Sequence, residues 1–106
     1  MASWITVKNI HEIQYQFLVR DNIPDYIKSK GGNAIFHVAD EKEYWLKLKE
    51  KLSEEVSEFL EAESIEEMAD VLEVIDAIFD YKKFDKQEVQ KVKDKKASER
   101  GEFKIR

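Results

Sequence analysis

The sequence predicts an all-α fold with a short extended N-terminal part, and three observations lead there. Only one Pro and three Gly occur in 106 residues, and helices tolerate few residues of either type. A capping residue is followed three positions later by Glu at Asp40/Glu43, Ser64/Glu67 and Asp85/Glu88, the signature of a helix start. After the first of these starts, Trp45, Leu48, Leu52, Val56 and Phe59 recur at helical spacing, the single apolar stripe of an amphipathic helix.

Taken in order, the first twenty residues mix β-branched and aromatic side chains without a clean helical stripe. They read equally as a short strand, a short helix or an extended arm. "NIPDYIKSKGG" predicts a short helix, with Pro24 in its first turn and Gly31-Gly32 ending it. "NAIFHVA" is short enough for a strand or an extended connection. The three capping signals then predict helices over about 41–62, 65–81 and 86–99. The "EAES" between the first two leaves almost no loop, so they form an antiparallel hairpin.

The whole chain, 1–106, is of a size for one domain with a single modest core. No apolar run approaches the roughly 20 residues of a membrane span, and a signal-peptide core is lacking. A cytoplasmic protein with no membrane partner is expected. Without any Cys, disulfides, thiolate chemistry and Cys-ligated metal sites are excluded. The net charge of -5 disfavours binding to nucleic-acid polymers, although residues 91–106 are rich in Lys and Arg.

Residues 53–70, "SEEVSEFLEAESIEEMAD", hold eight acidic side chains in eighteen positions. At about 100° per residue, Glu66, Glu73, Asp76 and Asp80 share one solvent-facing wedge of their helix. Glu67 and Asp70 instead align with Val74, Ala77 and Ile78, where the helix is otherwise apolar. On the preceding helix Glu55 borders the apolar stripe, and Glu58 follows one turn later. In an antiparallel hairpin Glu58 faces Glu67 and Glu55 faces Asp70. Four carboxylates converge, and unneutralised they would repel or take up protons. All-oxygen ligands suit hard divalent cations, Mg²⁺ or Mn²⁺. Glu67, third after Ser64, also has a simpler role open to it in a capping box.

"EEVSE" (Glu54, Glu55, Glu58) followed by "EMAD" (Glu67, Asp70) resembles the EExxE…ExxD pattern of the all-α nucleotide pyrophosphohydrolases. That superfamily includes MazG-like proteins, dimeric dUTPases and phosphoribosyl-ATP pyrophosphohydrolase. "FLVRDNIPDYI", "YWLKLKEKLSEEVSEFLEA" and "KKASERGEF" are similar to the short MazG-like, phosphoribosyl-ATP pyrophosphohydrolase-like branch, so the resemblance covers about residues 17–103. Asn22 stands where that branch usually has Lys, and Glu102 where it has Gly. The resemblance implies that Glu55, Glu58, Glu67 and Asp70 bind Mg²⁺, with Glu54 a further ligand or orienting the attacking water.

The expected activity is Mg²⁺-dependent cleavage of a nucleotide substrate between its α- and β-phosphates. Lys93, Lys96 and Arg100 share one face of the last helix and are candidate phosphate contacts, or a solubilising helix end. Arg20 and Asp21 read equally as a structural ion pair or a substrate contact. Trp45, Tyr44 and Phe103 are unranked candidates for the base. His37 reads as a packed residue; His11 and His37 both lie outside the acidic helices, so the Glu-x-x-His pairs of di-iron bundles are missing, and no Gly-rich phosphate loop is present. A non-catalytic helical interaction module is the alternative. Met68, Val71, Leu72, Val74, Ile75, Ile78 and Phe79 cover most of one helix. They predict a homodimer, or a dimer of dimers, in which two hairpins form a four-helix bundle.

Overall fold

The computed structural model describes residues 3–10, 13–32 and 34–105. Strands β1 (Trp4–Ile10) and β2 (Ile13–Val19) precede helix α1 (Ile23–Ser29) and strand β3 (Ile35–Val38). Helices α2 (Glu41–Ala62), α3 (Ile65–Lys82) and α4 (Lys86–Arg100) follow. β1 is the central strand of an antiparallel sheet in the order β2-β1-β3. The expectation of an all-α fold is therefore wrong: the protein is a mixed α/β fold, and an all-α four-helix bundle does not describe it.

The pleat explains why the strands are hard to read. Ile5 sits opposite Leu18 and His37, so these three share one face. His37 Nε2 lies 3.0 Å from Glu43 Oε1 of α2, which places that face against the helix. The other face carries Thr6, Phe17 and Phe36 in one cross-strand row, beside Trp4. With large apolar groups on both faces, the apolar–polar alternation that announces a half-buried strand is erased. β-branched and aromatic residues nonetheless favour the extended backbone.

Elsewhere local signals hold. Pro24 lies in the first turn of α1, and Gly31 follows the helix at φ 75°, in the left-handed region that favours glycine. The side chains of Asp40, Ser64 and Asp85 accept hydrogen bonds from the Glu43, Glu67 and Glu88 amides, opening α2, α3 and α4 as expected. Only Glu63 and Ser64 separate α2 from α3, and Glu63 turns the chain at φ 52°.

Ile5 and Leu48 are fully buried, with Val71 and Val74 close behind. Val56, expected in the stripe of α2, is 38% exposed instead. At the open end of the hairpin Trp45 stacks on Tyr81, centroids 4.9 Å apart, with Lys49 and Lys82 over the indole. Such contacts add about 0.5–1.5 kcal/mol beyond area burial. Because Ile5 closes the space between sheet and helix, Ile5→Ala is expected to lower unfolding free energy by about 2–5 kcal/mol in urea denaturation.

The accessible surface is 9088 Å² and the radius of gyration 17.1 Å. A compact chain of this mass and length shows about 6,200 Å² and about 13 Å. Among the described residues no helix is long and apolar enough to cross a membrane.

Candidate metal centre

The short α2–α3 turn sets two acidic segments side by side. Glu54, Glu55 and Glu58 of α2 form one group, and Glu55 with Glu67 and Asp70 of α3 forms a second. Within each group one carboxylate oxygen per residue lies within 4.8 Å of the others. The four carboxylates expected from hairpin register thus meet as two overlapping triplets, with Glu54 added and Glu55 shared. The Glu54 side chain is 36% exposed, tucked beside Lys51.

Glu55 is the centre of this arrangement. It is 6% exposed, and its Oε2 has no hydrogen-bond partner among the described residues. Among the described residues the Glu67 side chain makes no capping-box bond back to Ser64. The Glu67 amide donates to Ser64 Oγ at 3.2 Å, while its own buried Oε2 is also without a partner. Buried carboxylate oxygens left unpaired cost free energy that a cation or a proton relieves.

Two side-chain cations already touch the cluster. Lys51 Nζ lies 3.2 Å from Glu54 Oε1 and 3.1 Å from Glu55 Oε1. Burial lowers the Lys51 pKa, but bonding and charge from Glu55 and Glu54 outweigh it and the net shift is upward. Arg20, just beyond β2, reaches across to α3, its Nη2 2.7 Å from Asp70 Oδ1. Arg20 therefore pairs with Asp70 and not with its neighbour Asp21. Lys51 escaped the sequence reading because Lys at i,i+3 and i,i+4 from Glu is an ordinary helix pairing.

Glu58 is raised to about 6 by partial desolvation, by the charge of Glu55 and a hydrogen bond to it, and by the charges of Glu67 and Glu54. Its side chain remains exposed, so water screens much of the energetic effect. A carboxyl raised above its unfolded value holds its proton longer in the folded state. The stability Glu58 contributes is therefore present at low pH and falls as pH rises from about 4.5 through about 6. Carboxyl NMR titration of the metal-free protein is expected to show one Glu resonance with a midpoint near 6, absent in Glu58→Gln.

Lys93, Lys96 and Arg100 are exposed on α4, which buries no residue. α4 starts beyond the end of α3, about 18 Å along that helix from Asp70 at 1.5 Å per residue. Among the described residues no ion pair links these three to the carboxylates. Tyr44 packs edge-on against Tyr81, and burial, then Asp21 and Asp80, raise its pKa. Trp45 is engaged in the Tyr81 stack, whereas Phe103 is fully exposed. Glu102 lies 3.6 Å from Lys104, and Asn22 stands at the N-cap of α1 without a side-chain capping bond. His11 lies outside the described residues. Beside the acidic cluster a cleft of about 570 Å³ opens between β2 and α2, lined among others by Tyr15, Phe17, Lys47, Lys51 and Glu54.

An uncharacterized protein of Mycolicibacterium smegmatis (strain ATCC 700084 / mc(2)155) is 40% identical over 47 residues, 44% of this chain and 48% of that protein. The aligned part thus spans about half of each. No family model matches the chain. No solved structure matches it either.

Proposed function

We propose that this chain is a cytoplasmic nucleotide pyrophosphohydrolase dependent on Mg²⁺, with Mn²⁺ as a substitute. The observation that carries the reading is Glu55, buried, shared by both acidic triplets, and with one oxygen unpartnered. Glu55, Glu58, Glu67 and Asp70, with Glu54 at the edge, would hold the ion. An all-carboxylate donor set fits a hard divalent cation. The resemblance of "EEVSE" and "EMAD" to the pyrophosphohydrolase pattern supplies the reaction class. Water adds across the α–β anhydride, the bridging bond breaks, and monophosphate, pyrophosphate and a proton result. A bound divalent ion supplies charge neutralisation for the phosphates and acidifies a water. Glu54 keeps a partly open carboxylate beside Glu55, from which it can orient that water or accept its proton.

The rival reading, a non-catalytic interaction module, draws on Lys51 and Arg20. Their ion pairs already neutralise part of the cluster without any metal. Pyrophosphate release from a panel of nucleoside triphosphates, with and without Mg²⁺, separates the two. Turnover that requires Mg²⁺ supports the enzyme, and none on any nucleotide supports the module.

We also infer that the working unit is a homodimer. Val56 and Leu60 of α2 and Ile65, Met68 and Leu72 of α3 are all exposed, Ile65 at 86%. By helical spacing Val56 and Leu60 share one side of α2, and Ile65, Met68 and Leu72 share one side of α3. The surface exceeds that of a compact monomer by more than the ~800 Å² per partner that a stable interface takes.

A further inference from the structure

Resident side-chain cations touch both acidic triplets. Lys51 sits on Glu54 and Glu55 from within α2, and Arg20 reaches Asp70 from the end of β2. Among the described residues, five carboxylates against two cations leave the cluster strongly negative. The anionic phosphates of a nucleotide would be repelled from it unless both the charge and the pairing changed. Among the described residues the cations expected for phosphate, on α4, pair with none of these carboxylates, whereas these two already do.

We propose that Arg20 and Lys51 are the phosphate-recognising residues of this site, held on its carboxylates in the metal-free protein and freed when a divalent cation takes those carboxylates over. The proposal rests on the pyrophosphohydrolase reading and names the residues that meet its substrate. The Arg20–Asp70 pair is 57% and 38% exposed, so it is weak enough to exchange. Lys51 lines both the cluster and the β2–α2 cleft, so a small rotation of its side chain moves its charge from Glu55 into that cleft. Lys47, paired with Glu50 at 2.9 Å, lies on the same wall one turn earlier. The guanidinium of Arg20 offers a planar fork suited to two phosphate oxygens, which Lys would not reproduce. The sheet thereby acquires a role: β2 delivers a cation to an otherwise helical site.

The test measures two affinities in wild type, Arg20→Ala, Arg20→Lys and Lys51→Met. One is for Mn²⁺ alone, by electron paramagnetic resonance. The other is for an α,β-methylene nucleoside triphosphate at saturating Mn²⁺, by calorimetry. Removing a resident cation is expected to leave Mn²⁺ affinity equal or higher, because a competitor is gone. The same change is expected to weaken analogue binding about tenfold or more, with Arg20→Lys recovering only part. Damage to the fold would lower both affinities, so opposite signs identify recognition. Analogue affinity unchanged in both Arg20→Ala and Lys51→Met, with Mn²⁺ bound, overturns the assignment and leaves the metal centre standing. Absence of Mn²⁺ binding in wild type removes the metal centre and this assignment with it.

Discussion

Glu55→Gln is expected to reduce pyrophosphate release by at least about 100-fold and Mn²⁺ affinity by at least about tenfold, while the protein stays folded. Glu55 belongs to both triplets, so the change touches every arrangement in which the cluster could hold an ion. The amide has the same shape and keeps an oxygen that accepts from Lys51, so the buried volume is unchanged. Removing the charge also relieves repulsion among Glu54, Glu58, Glu67 and Asp70, which offsets the weakened Lys51 pair. Thermal unfolding makes the contrast measurable without turnover. At a hundredfold excess over its Kd, Mn²⁺ stabilises wild type by about 2.7 kcal/mol, and Glu55→Gln gains little. Equal stabilisation of the two proteins by Mn²⁺ would place the ion elsewhere.

Light scattering is expected to report a species of about twice 12.6 kDa at micromolar concentration, and Leu72→Glu is expected to convert it to a folded monomer. Leu72 is 53% exposed on α3, and the buried pair Val71 and Val74 lies on another side of that helix. In a lone chain a new carboxylate there would meet water and cost little. Against a second apolar hairpin the same carboxylate would be buried without a partner, at a cost of several kcal/mol. Asp76→Lys, on the solvent wedge, serves as the surface control. A wild-type protein that runs at 12.6 kDa, or a Leu72→Glu protein that keeps the wild-type mass, rules out this face as the contact.

The hairpin was legible because its information is local. Asp40, Ser64 and Asp85 each announce a helix within four residues, and the short turn fixes which acidic pairs share a level. The sheet was not, because Ile5 and Leu18 on one face and Trp4 and Phe17 on the other blur the period of two. Arg20 and Asp70 lie 50 positions apart on different layers, so no window of sequence joins them. Val56 fits the helical stripe by angle yet lies beyond the neighbour that would cover it, since periodicity gives direction but not what stands opposite. The apolar face of α3 was legible as excess hydrophobicity, and Met68 and Leu72 on it are exposed in the fold.

Glu63 sets the phase of the whole centre. As the left-handed residue in a two-residue turn, it ties the end of α2 to the start of α3 with no slack. A helix advances about 100° per residue, so one residue inserted into α3 between Ser64 and Glu67 would swing all that precedes it out of step with all that follows. One inserted just after Asp70 would leave both triplets whole and rotate the apolar stripe instead. Lineages related to this chain should therefore tolerate length changes unevenly. Insertions confined to the turn uncouple the carboxylates while every carboxylate persists. A relative carrying all five acidic residues with a longer turn would have lost the centre without a single substitution in it.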